Sequence, residues 1–236
     1  MRTIARTTRK HSMSRKYIAL AVILILLFMS SFFPANPLYR INWALLSTII
    51  VVCSLLWFFG KFDKGQITAK EIALIATMAS LAAITRIVFS PIASFKPTTF
   101  IIMISGYVFG ARTGFMVGAV TALASNFFLG QGPWTPWQML CWGLCGVLAG
   151  VLGNKQKDYH ALSFIILTGA CGYLYGWLLN IWHWVAFIYP LNIKTLLAVY
   201  VASFAFDSLH AAGSIVFASI FGKPFYQILR RYRKLL

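Results

Sequence analysis

Long apolar runs separated by short polar or basic stretches dominate the chain, and runs such as AVILILLF show no alternation of polar and apolar positions. Apolar stretches of about 18 residues are long enough to cross a hydrocarbon core of ~30 Å as helix, whereas strands of a membrane barrel would alternate. The pattern therefore predicts an all-α fold: a polytopic helical membrane protein. Eight membrane segments are expected, at roughly 17–33, 41–59, 70–90, 97–110, 112–129, 136–153, 161–181 and 195–222. The segment at 97–110 is short, which fits a tilted helix, one buried in protein, or one that does not fully span. Two helix starts carry local signals. Thr68 with Glu71 forms a capping box, and Thr135-Pro136-Trp137-Gln138 combines a cap, an early proline and a glutamine three residues on.

The first two segments hold no glycine before Gly60 and no buried charge. They read as an extension on a six-helix core. The expected organisation is a basic cytoplasmic tail at 1–16, a two-span extension at 17–60 and a cytoplasmic linker at 61–67. The core follows at 68–222, then a second basic tail at 223–236. A basic stretch precedes the first apolar run, but SSFFPANP offers no small-residue cleavage pattern, so that run is expected to remain as a span.

Composition agrees with this reading. Sixty percent of residues are apolar and the mean hydropathy is +0.78, leaving too little polar surface for a soluble fold of this length. The net charge of +17 raises the question of nucleic acid, but its placement answers to the membrane. With the N-terminus inside, the cytoplasmic side collects Arg2, Arg6, Arg9, Lys10, Arg15 and Lys16, then Lys61, Lys64 and Lys70. Arg112, Lys155, Lys157, Lys223, Arg230, Arg231, Arg233 and Lys234 join them. Only Arg40, Lys96 and Lys194 fall outside, and Arg86 lies within a span. This asymmetry predicts a multi-pass protein of the cytoplasmic membrane with both termini cytoplasmic and no nucleic-acid partner.

Cys53, Cys141, Cys145 and Cys171 all sit in apolar stretches and read as buried thiols. Cys141 and Cys145 lie one turn apart without further ligands at zinc spacing, so neither a metal site nor a cofactor is predicted. Walker A, G-x-S-x-G and H-E-x-x-H patterns are missing, and an enzyme is not expected.

Charged residues within spans are rare and therefore informative. Asp207 is the only acidic residue there, about twelve residues or ~18 Å down the last helix, with His210 three positions on along the same face. Arg86 lies nearer the outer end of its segment. Two readings stand: contact with a ligand, or hydrogen bonding that only stitches helices together. The outer stretches NFFLGQGPWTPWQ and NIWHWVAFIYP carry Trp134, Trp137, Trp182, Trp184 and Tyr189, together with Asn126, Gln138, Asn180 and His183. An interfacial aromatic belt explains part of this; a shaped, partly polar cavity mouth with stacking surfaces explains the whole set. Gly106, Gly110, Gly114 and Gly118 recur every four residues, as do Gly146 with Gly150 and Gly172 with Gly176, a spacing for close helix packing. Ala76, Ser80 and Ala83, with Ala79 beside them, form a small-residue stripe suited to packing inside the chain or to docking on another membrane protein.

From about Thr68 to Gly222 the chain resembles the S component, the substrate-binding subunit, of an energy-coupling factor (ECF) vitamin transporter. The resemblance rests on the alanine-rich helix, GYVFGARTGFMVGAVTALASNFFLGQGPWTPWQM, WGLCGVLAG and FDSLHAAG. It implies a six-helix module that captures a vitamin from outside and passes it on through a transmembrane coupling protein driven by two cytoplasmic ATPases. In such proteins the alanine motif meets the coupling protein, a role that falls here on Ala76, Ala79, Ser80 and Ala83; the serine departs from a strict alanine repeat. The GPWTPWQ form is most similar to cobalamin-type S components, with a flavin, a queuosine precursor or another heterocycle as alternatives. The two extra spans depart from the usual six. A competing hypothesis is a proton-coupled secondary transporter that relays through Asp207. An intramembrane hydrolase using His210 lacks a nucleophile.

Overall fold

The computed structural model describes residues 42–63, 68–156 and 158–233. The expected first span at 17–33, both tail ends and most of the 61–67 linker lie outside the described residues. The chain divides into two units, residues 1–46 and 47–236. Of the first, residues 42–46 are described, and there Asn42 Oδ1 accepts from the Leu45 amide at 3.0 Å as a helix cap.

Seven helices and no strand occur among the described residues: α1 Trp43–Asp63, α2 Ala69–Val88, α3 Thr98–Phe109, α4 Ala111–Leu129, α5 Thr135–Lys155, α6 Ala161–Phe187 and α7 Ile193–Arg233. The chain is thus a polytopic helical membrane protein, as its hydropathy pattern predicts. Five helices, α1, α2, α5, α6 and α7, are both long and apolar enough to cross a membrane. Of the segments expected to span, α3 is too short at 12 residues, about 18 Å of rise. Its residues from Thr98 to Val108 are buried, and it packs against α2, α4, α5, α6 and α7. It is the centre of the core. α4 turns Thr113, Thr121, Ser125 and Asn126 inward.

Backbone contact explains the glycine spacing. A methyl group on Gly146 would lie 2.2 Å from the Gly114 carbonyl oxygen, and one on Gly106 would lie 2.1 Å from that of Gly146. These residues let α3, α4 and α5 touch main chain to main chain. Gly110 does something else: at φ +97° it makes the sharp turn from α3 to α4, a conformation that residues with a Cβ resist.

Three expectations need correction. The tail at 223–236 is helical to Arg233, because α7 runs for 41 residues through Pro224. Phe225 packs edge-on against Phe100 and Tyr226 stacks on Tyr159, so this stretch belongs to the fold. The expected capping box at Thr135 does not form. Trp134 is the capping position without a side-chain bond, and Thr135 already lies within the helix. Its hydroxyl bonds Gln131 and Asn126 instead. Cys53 is exposed on α1, whereas Cys141, Cys145 and Cys171 are buried free thiols. At Thr68 the cap forms, accepting from the Glu71 amide at 3.2 Å. The Glu71 carboxylate turns away and accepts from Thr113.

Candidate functional site

The ends of the helices sort by chemistry. Lys70, Arg112, Lys155 and Arg230 lie at one end of the bundle, at the starts of α2 and α4 and the ends of α5 and α7. There Arg230 pairs with Asp158 at 2.8 Å. Burial, followed by the neighbouring Tyr107, pushes the Tyr159 phenol up to about 12. At the other end stand two neighbouring sets of buried polar groups.

The first set is built on Arg86, near the end of α2. Its guanidinium donates from Nη1 to Ser125 Oγ at 2.5 Å and to Asn126 Oδ1 at 2.6 Å, and from Nη2 more weakly to Gln138 at 3.4 Å. Asn126 in turn donates to Thr135 and Gln138. The cation lies 4.8 Å from the ring centroid of Trp142, within cation–π range. Every partner is neutral. Arg86 therefore ties α2 to α4 and α5, and its hydrogen bonds do not reach Asp207. Lys96, in the loop between α2 and α3, is half-buried; burial and then the positive Arg86 hold its ammonium below the ordinary lysine value.

The second set lies between α6 and α7, around a cleft of about 610 Å³. Asp207 Oδ2 accepts from Ser203 Oγ at 2.9 Å and from Asn180 Nδ2 at 3.3 Å. His210 Nε2 shares a 2.7 Å hydrogen bond with the Thr99 hydroxyl, which also accepts from the Trp142 indole at 3.0 Å. Asp207 and His210 thus bond to other partners, not to each other. Tyr175 closes the gap between the two sets: it stacks on Trp142, centroids 4.5 Å apart, and meets His210 edge-on.

Of the sequence-predicted residues, Asn180, His183, Asp207 and His210 come together on the cleft, and Arg86, Asn126 and Gln138 form the adjoining clamp. The aromatic mouth does not assemble as expected. Trp134 and Trp182 meet edge-on at 6.4 Å. Trp137 is buried toward α1, donating to Thr48 at 3.2 Å. Trp184 is buried and donates to Thr195. Tyr189 is exposed and bonds back to the Val185 carbonyl. The reason is helical extension: NIWHWVAF belongs to α6, which ends at Phe187, so its tryptophans pack sideways.

Sequence reasoning missed Thr99, Trp142, Tyr175, Gly176 and Ser203. Ser203, one turn before Asp207, was the readable signal; the aromatic pair looked like ordinary core. The small-residue stripe also divides. Ala79 and Ala83 are 1% and 5% exposed and face the chain's own core, which excludes them from a partner surface. Ala76 and Ser80 are exposed.

A family model described as ECF transporter, substrate-specific component, matches residues 70–229. Comparisons with curated proteins and with solved structures return no match.

Proposed function

Because the chain belongs to the family of substrate-specific components of ECF transporters, we propose that it captures a vitamin at the α6–α7 cleft from outside the cell. Membership makes it a substrate-binding membrane subunit that works with a coupling protein and ATPases. The observation that carries the cleft reading is the convergence of Asp207, Asn180, Ser203 and His210 on one mostly apolar cavity, at the end of the bundle opposite the basic residues. Basic ends mark the cytoplasmic face, so the cleft faces outward and the described C-terminal end of α7 lies in the cytoplasm. The exposed Ala76 and Ser80 form the smooth face for the coupling protein.

Clefts of ~300–1,000 Å³ enclose drug-sized ligands, and the present one falls in that range. Cobalamin, favoured by the GPWTPWQ resemblance, is much larger, and it would require the outer ends of α6 and α7 to part. A single heterocycle fits the cleft as it stands. Family membership favours transport driven by partner ATPases over a proton relay at Asp207.

The test is titration of cobalamin, a flavin and a queuosine precursor into the purified solitary chain in detergent. Saturable one-to-one heat from one of them, abolished by Ala202→Trp, which fills the cleft, is the expected result. Binding untouched by that substitution would move the site elsewhere.

A further inference from the structure

Among the residues lining the cleft Asp207 alone is an acid, and none is a lysine or arginine. Both hydrogen bonds to its carboxylate land on Oδ2, from a hydroxyl and a primary amide. Oδ1 receives neither. It lies over the bare α-carbon of Gly176, where a methyl group would approach it to 2.0 Å.

Of the other titratable groups nearby, Tyr200 donates to the Trp177 carbonyl and Tyr175 stacks on Trp142. His210 is engaged with Thr99, and His183 is exposed with its ring against Phe187. Arg86 is spent on Ser125, Asn126 and Gln138, and neither it nor Lys96 lines the cleft. A carboxylate set in a membrane bundle without a cation is costly, and such groups pair or mark a substrate path. Among the described residues no cation pairs with it, and the cavity in front of the carboxylate is walled by Leu179, Ile188, Val199 and Phe206.

Resting on the assignment of the cleft as the substrate site, we propose that the substrate is an apolar-bodied nitrogen heterocycle whose protonated N–H group pairs with Asp207. Charge-assisted hydrogen bonds to a carboxylate are short and strong, and the Asp207 carboxylate supplies the acceptor. The ring body occupies the apolar walls, and Asn180 and Ser203 hold the carboxylate in place.

Three probes with one ring system test this: protonated 4-aminoquinoline, neutral quinoline and anionic quinoline-4-carboxylate, each titrated calorimetrically into the purified chain at neutral pH. The cation should bind about tenfold to a hundredfold more tightly than the other two, the range expected for a hydrogen bond to a charged group. Asp207→Asn keeps the shape and should bring the cation's affinity down close to that of quinoline. Equal affinity for cation and anion, or a preference that survives Asp207→Asn, overturns the proposal. The Ala202→Trp variant separates the two levels. Charge-blind binding that Ala202→Trp abolishes sinks the role of the carboxylate and keeps the cleft. Absence of saturable binding by any probe, or binding indifferent to Ala202→Trp, removes both.

Discussion

Four small residues on α2 divide into two pairs that should respond oppositely to the same substitution. Ala79 and Ala83 are 1% and 5% exposed. The Ala79 carbonyl lies 3.5 Å from the Thr121 hydroxyl of α4, so the helices are already in contact there. Ala79→Leu adds three carbons where there is no space, and overpacking of this kind costs ~1–3 kcal/mol. Ala76→Leu and Ser80→Leu point away from the core, where substitutions stay within about 0.5 kcal/mol. Leucine is a good helix former, so propensity does not blur the comparison.

Thermal unfolding of the solitary chain in detergent reads the first effect. At ~2–4 °C per kcal/mol for a chain of this size, Ala79→Leu should lower the midpoint by several degrees and Ala76→Leu should leave it in place. Copurification with the coupling protein reads the second: Ala76→Leu and Ser80→Leu should lose the partner while still binding ligand. An unchanged midpoint for Ala79→Leu would refute the burial of that face. Full partner recovery with both exposed variants would refute the docking assignment.

Gly176→Ala should weaken binding of the cleft's ligand about tenfold and cost less stability than a clash with backbone, because the new methyl meets a side-chain carboxylate. Gly172→Ala, one turn away, meets the Ala211 backbone at 2.6 Å and should show the reverse in the same two assays. Arg86→Met leaves Ser125 Oγ and Asn126 Oδ1 without the donor from α2 and should lower stability by ~1.5–3 kcal/mol. Arg86→Lys should recover little of this, since one ammonium cannot span acceptors on two helices as a planar fork does; denaturation midpoints of the three forms decide. Trp137→Phe should leave ligand binding unchanged in calorimetry, because its indole is directed to Thr48 and away from the cleft.

The bundle was readable from hydropathy because lipid leaves the backbone no other way to satisfy its polar groups. Lys70, Arg112, Lys155 and Arg230 gather at one end of it, where the basic pattern groups them. What failed was the depth and direction of the aromatic stretches. NIWHW looks like a loop because asparagine, histidine and tryptophan cluster before Pro190. Burial of Trp182, Trp184 and Val185 carries the helix six residues past the expected end at 181, an effect that only tertiary packing supplies. The alanine stripe failed for a related reason. Positions 76, 79, 80 and 83 lie close together on a helical wheel, and the boundary between core and surface runs through the middle of them.

Asp207 was legible by its charge alone, but the reason a cavity lies beside it is written in the glycines. Gly169, Gly172 and Gly176 share one face of α6 at spacings of three and four. In the antiparallel pair they meet Ile215, Ala211 and Asp207 in turn. The last of these contacts is polar, and the next step beyond the last glycine is Asn180 against Ser203. Below this point glycine draws the two helices into contact. Beyond it the longer side chains of Leu179, Asn180 and His183 line the cleft. The last glycine of the ladder thus gives the carboxylate its room, and the cleft begins where the ladder ends.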